Sequence, residues 1–230
     1  VPEGVKVIPS RFSYKKRPKD VKARIVVQQL RKTATGYSWV ELFAAAPTSA
    51  SHALLAWHAM CKKWGITEGD LTTAFLHADL EGNLIIVVKP PPEVFQGKYW
   101  LLKKALYGLR ISPRVFQQWL TRQFKEMEFE PTRACPMTFW RSTDGAMMVA
   151  HADNIRLTAS DEATDELKLE FAQRMKIRWE NVLTAEWSAY LGSSWCRPSI
   201  HEIQVKPEDR HFQKLFELLQ LERAKAVPSP

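Results

Sequence analysis

Two aspartates, Asp70 in GDLTTAF and Asp153 in VAHADNIRL, have surroundings that set them apart. Each sits at the end or tip of an apolar, strand-forming run, where a lone acid serves no packing purpose. Two carboxylates brought together on neighbouring strands can hold a pair of divalent ions about 4 Å apart. Such a pair activates an attacking hydroxyl and stabilises the leaving oxygen of an in-line phosphoryl displacement. Residue type and a separation of 83 positions leave two readings of each acid open. Asp70 is either a metal ligand or a strand-end carboxylate beside Gly69. Asp153 is either a ligand or an ordinary turn acid, followed by the amide Asn154.

Whatever the acids do, particular elements must position them. Residues 5–30 read as two short strands, VKVIPSRFSY and KARIVVQQL, split by the turn-like KKRPKD. Residues 48–64 predict a buried helix capped by Thr48 or Ser49, with Leu54, Trp57, Cys61 and Trp64 as its apolar face. ITEGDLTTAF (66–75) predicts a strand carrying Asp70, and NLIIVV another, stopped by three prolines. Ser112-Pro113 predicts a helix start with Ser as N-cap, its stripe made by Val115, Phe116, Trp119, Leu120, Phe124 and Met127. AMMVAHA and IRLTA then form a hairpin with Asp153-Asn154 near its tip. Ser160 caps a helix whose Leu167, Phe171 and Met175 recur every four residues, strand-rich EWSAYLGSSW and IHEIQV follow, and a last helix runs from Pro207 to Leu221. Strands and helices mix without strict alternation, which predicts an α+β fold.

Composition narrows the classes. Hydrophobic residues at 45% and charged residues at 25% give the balance of a globular domain. No apolar run approaches the roughly 18 residues of a membrane span, and the first residues lack the apolar core of a signal peptide. Three distant cysteines (Cys61, Cys135, Cys196) form no CxxC pair or disulfide framework, which predicts an intracellular setting, cytoplasmic or nuclear. The net charge of +8 lies wholly in residues 1–32, where ten Lys/Arg face Glu3 and Asp20; the rest of the chain balances 23 basic against 23 acidic residues. Phe12 and Tyr14 interleave this basic arm, as expected for a segment that meets phosphates.

The order KARIVVQQL, DLTTAFLHADL, LKKALYGLRISPR, VAHADNIRLTAS and YLGSSW resembles the reverse transcriptase domain of copia-type LTR retrotransposons. That family runs KARLV(A/V)xG, DVKTAFLNGDL, LKKSLYGLKQAPR, YVDDLL(I/L)TG and YFLG. Lys22–Val26, Asp70–Leu80, Leu102–Arg114, His151–Thr158 and Tyr190–Gly192 match in order and at similar spacing, so the likeness spans essentially the whole chain.

The resemblance implies a right-hand polymerase with fingers and palm, an antiparallel palm sheet and flanking helices. Approximate divisions are 1–65 for fingers, 66–110 for palm and fingers, 111–200 for palm, and 201–230 for a C-terminal helix towards a thumb. It implies Mg²⁺ or Mn²⁺ as cofactor, two ions in an active enzyme, and an RNA template, a DNA primer and dNTP as partners. Asp70, Asp153 and the carbonyl of Leu71 become the metal ligands. Lys22 and Arg24 reach the incoming triphosphate, and Phe75 lies beneath the sugar. Tyr107, Gly108 and Arg110 line the nucleotide pocket. His151, Tyr190, Leu191 and Gly192 approach the primer end.

The departures point the other way. His151-Ala152-Asp153-Asn154 stands where the family has Tyr-Val-Asp-Asp, so the catalytic position 154 holds an amide with one oxygen and no charge. Mg²⁺ prefers charged, hard oxygen donors. Gln28-Gln29 adds bulk where the family has a glycine, and Cys135-Pro136 replaces Asp-Pro. The expectation is a retrotransposon polyprotein segment with weak or lost polymerisation. The alternative is a domesticated, non-catalytic nucleic-acid-binding or scaffolding subunit, for which protein partners are expected.

Overall fold

A computed structural model describes residues 5–16, 20–29, 38, 42–80 and 84–221. The fold is α+β, as the mixed patterning predicts. One sheet runs in the order β2 (Val21–Val27), β1 (Val7–Lys16), β4 (Val87–Lys89) and β5 (Trp100–Leu101). Its β1 and β4 are parallel; the other neighbours are antiparallel. A second sheet has the order β10 (Ile177–Val182), β3 (Thr67–Leu71), β9 (Asn154–Thr158), β8 (Met147–His151), β7 (Thr138–Trp140) and β6 (Glu130–Pro131). It is antiparallel throughout. The third, also antiparallel, is β11 (Ser188–Tyr190), β12 (Ser193–Ser199) and β13 (Glu202–Pro207). The helices of the described residues are α1 (Ser49–Lys62), α2 (Ser112–Glu126), α3 (Asp161–Arg174) and α4 (Asp209–Leu219). None is long and apolar enough to cross a membrane.

The six-stranded sheet is covered on both faces, which explains why MMVAH is apolar without alternation. Met148 and Ala150 of β8 face a core shared with Phe116, Leu120 and Phe124 of α2 and Leu167 and Phe171 of α3. Met147 and Val149 face Leu55, Ala56 and Ala59 of α1 instead. Phe124 meets Phe139 and Phe171 edge-on at centroid distances of 4.9 and 5.9 Å. Each fully buried Phe contributes about 2–3 kcal/mol of transfer free energy. Local signals hold the helices in place: Thr48 accepts from the Ser51 amide and Ser160 from the Ala163 amide.

Three expectations change. α1 buries Ser51, His52, Leu55, Ala56, His58 and Ala59, and exposes Leu54, Trp57 and Cys61, the face expected inside. Small side chains let the helix sit close to β8, and His58 Nε2 lies 2.9 Å from the Gly145 carbonyl, which gives this buried histidine a partner. Ser112 is no N-cap: fully buried, its hydroxyl donates to the Leu106 carbonyl at 2.7 Å and accepts from the Leu106 amide, tying the helix start to the preceding loop. The strand expected over 66–75 stops at Leu71 and gives way to a turn and a short 3-10 helix, Ala74–His77.

The basic arm is, in its described part, the paired β1–β2 hairpin, with Ser10 opposite Val27 and Lys16 opposite Val21. Arg17, Lys19, Arg31 and Lys32 lie outside the described residues, as do residues 222–230 of the expected C-terminal segment. Sheet membership is not contiguous in sequence, because β4 and β5 return to the first sheet after β3 has joined the second.

Candidate active site

Asp70 is the penultimate residue of β3 and lies across the ladder from Asn154, which opens β9. Asp153 occupies the two-residue turn between β8 and β9, whose first residue, Ala152, has φ 52°. That left-handed conformation is unfavourable for alanine, and the closed hairpin holds it. The Leu71 amide donates to the Asp153 carbonyl at 2.8 Å, extending the β3–β9 pairing past the ladder and fixing the hairpin tip against the end of β3. The two acids far apart in sequence are thus brought together.

Their charges feel each other. The Asp70 carboxyl is pushed above the usual carboxylate range, first by burial and then by Asp153, while Arg178 and Lys22 oppose the shift. Facing carboxylates create a demand for a cation. Asp70, Asp153 and the main-chain carbonyl of Leu71 are hard oxygen donors suited to Mg²⁺ or Mn²⁺. Asn154 adds no carboxylate to this set; its amide Nδ2 lies 3.4 Å from Asp153 Oδ1 as a donor. Among the described residues no group of three or more His, Cys, Asp or Glu could hold a metal ion. The donor set fits one hard cation and is short of a carboxylate for a second.

A cleft of about 680 Å³ opens above Asp70 and Asp153. Its walls bring Lys22, Arg24, Phe12 and Ile25 from the hairpin together with Thr72, Thr73, Leu76, Tyr107 and Arg178. Lys22 and Arg24 therefore line the same cleft as the two acids. The Arg24 guanidinium lies 5.2 Å from the Tyr107 ring centroid. Burial raises the Tyr107 hydroxyl above its ordinary pKa; Arg24 opposes this, and Asp153 and Asp70 add to it.

Phe75 stands behind Tyr107, edge-on at 4.9 Å, and reaches Phe116 at 5.7 Å. It props the cleft wall from the core side, while Thr72, Thr73 and Leu76 of the same turn line the wall itself. Gly108 is obligatory. With φ 89°, a Cβ there would lie 1.9 Å from the Val27 carbonyl oxygen, because the Val27 amide donates to the Tyr107 carbonyl at 2.7 Å. Arg110 is held through its backbone: its amide donates to Gln29 Oε1 at 2.8 Å. The bulk at Gln29 thus braces the loop that carries Tyr107 and Gly108.

The remaining expected residues lie elsewhere. His151 is half-buried at the end of β8, opposite Asn154. Tyr190 is buried against Arg156, and Leu191 (φ 49°) and Gly192 (φ 82°) make the β11–β12 turn. Sequence reasoning missed two features. Arg178 pairs across the ladder with Asp70 and enters the cleft; only the register reveals it. Arg156 and Glu68 form a buried pair on the sheet face that carries Asp70, detectable only by counting two residues along β9 and β3 from the site.

The family profile described as reverse transcriptase (RNA-dependent DNA polymerase) matches residues 1–215. No curated protein matches the chain. Among solved structures, an apo telomerase from Candida tropicalis, truncated from its C-terminal domain, superposes with a TM-score of 0.46 and 8% identity. The match covers 90% of this chain and 56% of that one, so the chain spans little more than half of that telomerase chain.

Proposed function

Because this chain belongs to the reverse transcriptase (RNA-dependent DNA polymerase) family, we propose that its cleft is a nucleotidyl-transfer site of copia type, impaired by Asn154. The observation that carries this reading is the convergence of Asp70 and Asp153 with Lys22, Arg24 and Tyr107 on one cleft. The six-stranded sheet with its helices is the palm, the β1–β2 hairpin belongs to the fingers, and the chain is a segment of a retrotransposon polyprotein. Its partners are an RNA template, a DNA primer and dNTP.

In the reaction proposed, the primer 3′-hydroxyl oxygen bonds to the α-phosphorus, the bond to the pyrophosphate oxygen breaks, and the hydroxyl proton leaves to solvent. Lys22 and Arg24 hold the triphosphate oxygens and offset charge that builds on the leaving group. The Tyr107 ring, fixed by Phe75 behind it and Arg24 above it, supports the sugar and base. Gly108 keeps the backbone close enough for the nucleotide to pass. Asp70, Asp153 and the Leu71 carbonyl would hold Mg²⁺ or Mn²⁺, which when bound would supply Lewis acidity at the hydroxyl and the phosphoryl oxygens.

Asn154 removes a formal charge from this donor set. A unit charge a few ångströms from a dication is worth several kcal/mol at an intermediate dielectric. Each ~1.4 kcal/mol is tenfold in rate. Primer extension on an RNA template with Mg²⁺ or Mn²⁺ tests the reading. Very weak extension by the natural chain and a gain of about a hundredfold or more in Asn154→Asp are expected. Robust extension by the natural chain removes the impairment; no extension in Asn154→Asp favours a nucleic-acid-binding subunit that keeps only the fold.

A further inference from the structure

The third sheet meets the rest of the molecule through two rings, Tyr190 at the end of β11 and Trp195 on β12. Both are buried in the cluster that holds Leu55, Ala56 and Ala59 of α1 and Met147 and Val149 of β8. Neither the Tyr190 hydroxyl nor Trp195 Nε1 has a hydrogen-bond partner among the described residues, so hydrogen bonds do not orient these rings. The guanidinium of Arg156 meets both, 3.5 Å from the Tyr190 centroid and 4.3 Å from that of Trp195. A cation over a ring is an oriented contact. The guanidinium is itself fixed, since Glu68 Oε1 accepts from its Nε and its Nη2 at 2.9 and 2.6 Å. In the motif that His151–Thr158 resembles, position 156 is leucine, so filling this space does not require a cation.

Arg156 follows Asn154 by two residues on β9, and Glu68 precedes Asp70 by two on β3. Tyr190 leads directly into Leu191 and Gly192, the β11–β12 turn. That turn also receives the start of α4: the Glu208 amide donates to the Gly192 carbonyl at 3.3 Å, and a Cβ on Gly192 would lie 3.2 Å from His211 Nε2. We propose that Arg156 is a positioning residue, whose stacked guanidinium sets where the Leu191–Gly192 turn stands relative to Asp70 and Asp153, and so where a primer 3′ end rests. This builds on the reading of the cleft as a nucleotidyl-transfer site. An apolar side chain at position 156 would fill the same space, but hydrophobic contact is non-directional and lets the rings slide. A shift of about 1 Å at a reacting end is enough to cost on the order of a hundredfold in rate.

The test uses a DNA primer ending in 2-aminopurine on an RNA template, with a dye at the far end reporting overall binding. The intact chain should bind this duplex and change the fluorescence of the terminal base. Arg156→Met with Glu68→Gln removes the charge pair without stranding either partner, so this double variant should remain folded. Its duplex affinity should stay within about threefold of the natural chain, because the basic hairpin is untouched. Most of the terminal-base change should be lost. Arg156→Lys, which keeps the charge but not the planar stack, should fall between the two. With 5-fluorotryptophan incorporated, the ¹⁹F resonance of Trp195, assigned through Trp195→Phe, should move in the double variant.

A natural terminal-base signal in the folded double variant overturns the proposal, since a merely structural arginine is one that the neutral pair replaces. So does an unmoved Trp195 resonance. If the double variant does not fold, Arg156→Lys decides alone, and a terminal-base signal equal to the natural one overturns the proposal. Primer extension separates this idea from the one it builds on. Extension by Asn154→Asp whose kcat and KM do not move when Arg156→Met and Glu68→Gln are added removes this inference and leaves the polymerase reading. No extension by Asn154→Asp, with the terminal-base change lost only in the Arg156 variants, does the reverse.

Discussion

Arg156 lies across the β3–β9 ladder from Glu68, two residues behind the Asp70–Asn154 pair, with its guanidinium 3.5 Å from the Tyr190 ring centroid. Its Nε and Nη2 both donate to Glu68 Oε1, at 2.9 and 2.6 Å. The guanidinium also meets the Trp195 ring at 4.3 Å. One buried cation thus ties the two strands of the acids to the third sheet.

Removing one member of this pair leaves the other buried and unmatched. Arg156→Met should cost about 3–5 kcal/mol of unfolding free energy. The double substitution with Glu68→Gln should cost less than the sum, because the stranded carboxylate is gone. Urea titration measures both. A single-variant loss under about 1 kcal/mol would show that the pair carries no such penalty.

His52 packs edge-on to Tyr190 at 5.5 Å, and its pKa falls from 6.5 to about 4. Burial is the first cause, then the charges of Arg156 and His151. A base with a depressed folded pKa is neutral in the fold and protonated on unfolding, so the unfolded state binds the extra proton. Stability should therefore be complete well above pH 6.5 and decline as pH falls towards 4, by about 3 kcal/mol before solvent screening is discounted. His52→Gln should flatten unfolding free energy against pH in that window. An unchanged slope would place the proton uptake on other groups.

Gly108→Ala should lower thermal stability by more than a strained φ alone, because the added carbon would collide with the Val27 carbonyl rather than with a movable side chain. A cost of about 2 kcal/mol or more corresponds to a Tm drop of roughly 4–8 °C for a chain of this size. Since the clash also pushes β2 off the loop, nucleotide affinity should fall with it. A melt and binding curve matching the natural chain would refute the close approach.

The described part of the β1–β2 hairpin carries Arg11, Lys15, Lys16, Lys22 and Arg24 against Asp20. If it grips phosphates, affinity for a primer–template duplex should fall steeply with salt. Lys15→Ala with Lys16→Ala should reduce the slope of log K against log salt by about 0.9 for each phosphate no longer neutralised. A slope that does not move would assign the hairpin's charge to another partner.

Much of the site was legible in the residues. Asp70 and Asp153 stand out as acids in apolar runs, the family resemblance singled out Lys22, Arg24 and Tyr107, and all five line one cleft. Phe75 was legible as an aromatic of the site but not as a prop behind its wall, because the end of β3 at Leu71 turns it inward. Arg178, Arg156 and Glu68 were not legible. Their place depends on which strand lies beside β3 and in what register, and hydrogen bonding between segments distant in sequence sets that.

Residue order is enough to specify the α+β class, the hairpin around Asp153, the Ser160 cap, a cap at Thr48 or Ser49, and the amide at position 154. Local rules govern each of these: periodicity, turn chemistry, capping and residue identity. The buried face of α1 follows from packing instead, since Leu54, Trp57 and Cys61 look more apolar than Ser51, His52 and His58. The close approach of helix to sheet and the bond from His58 to Gly145 outweigh side-chain hydrophobicity there. Packing also brings Lys22, Arg24 and Arg178 into one cleft with Asp70 and Asp153, because charges on β2, β3 and β10 become neighbours only when the sheets come together.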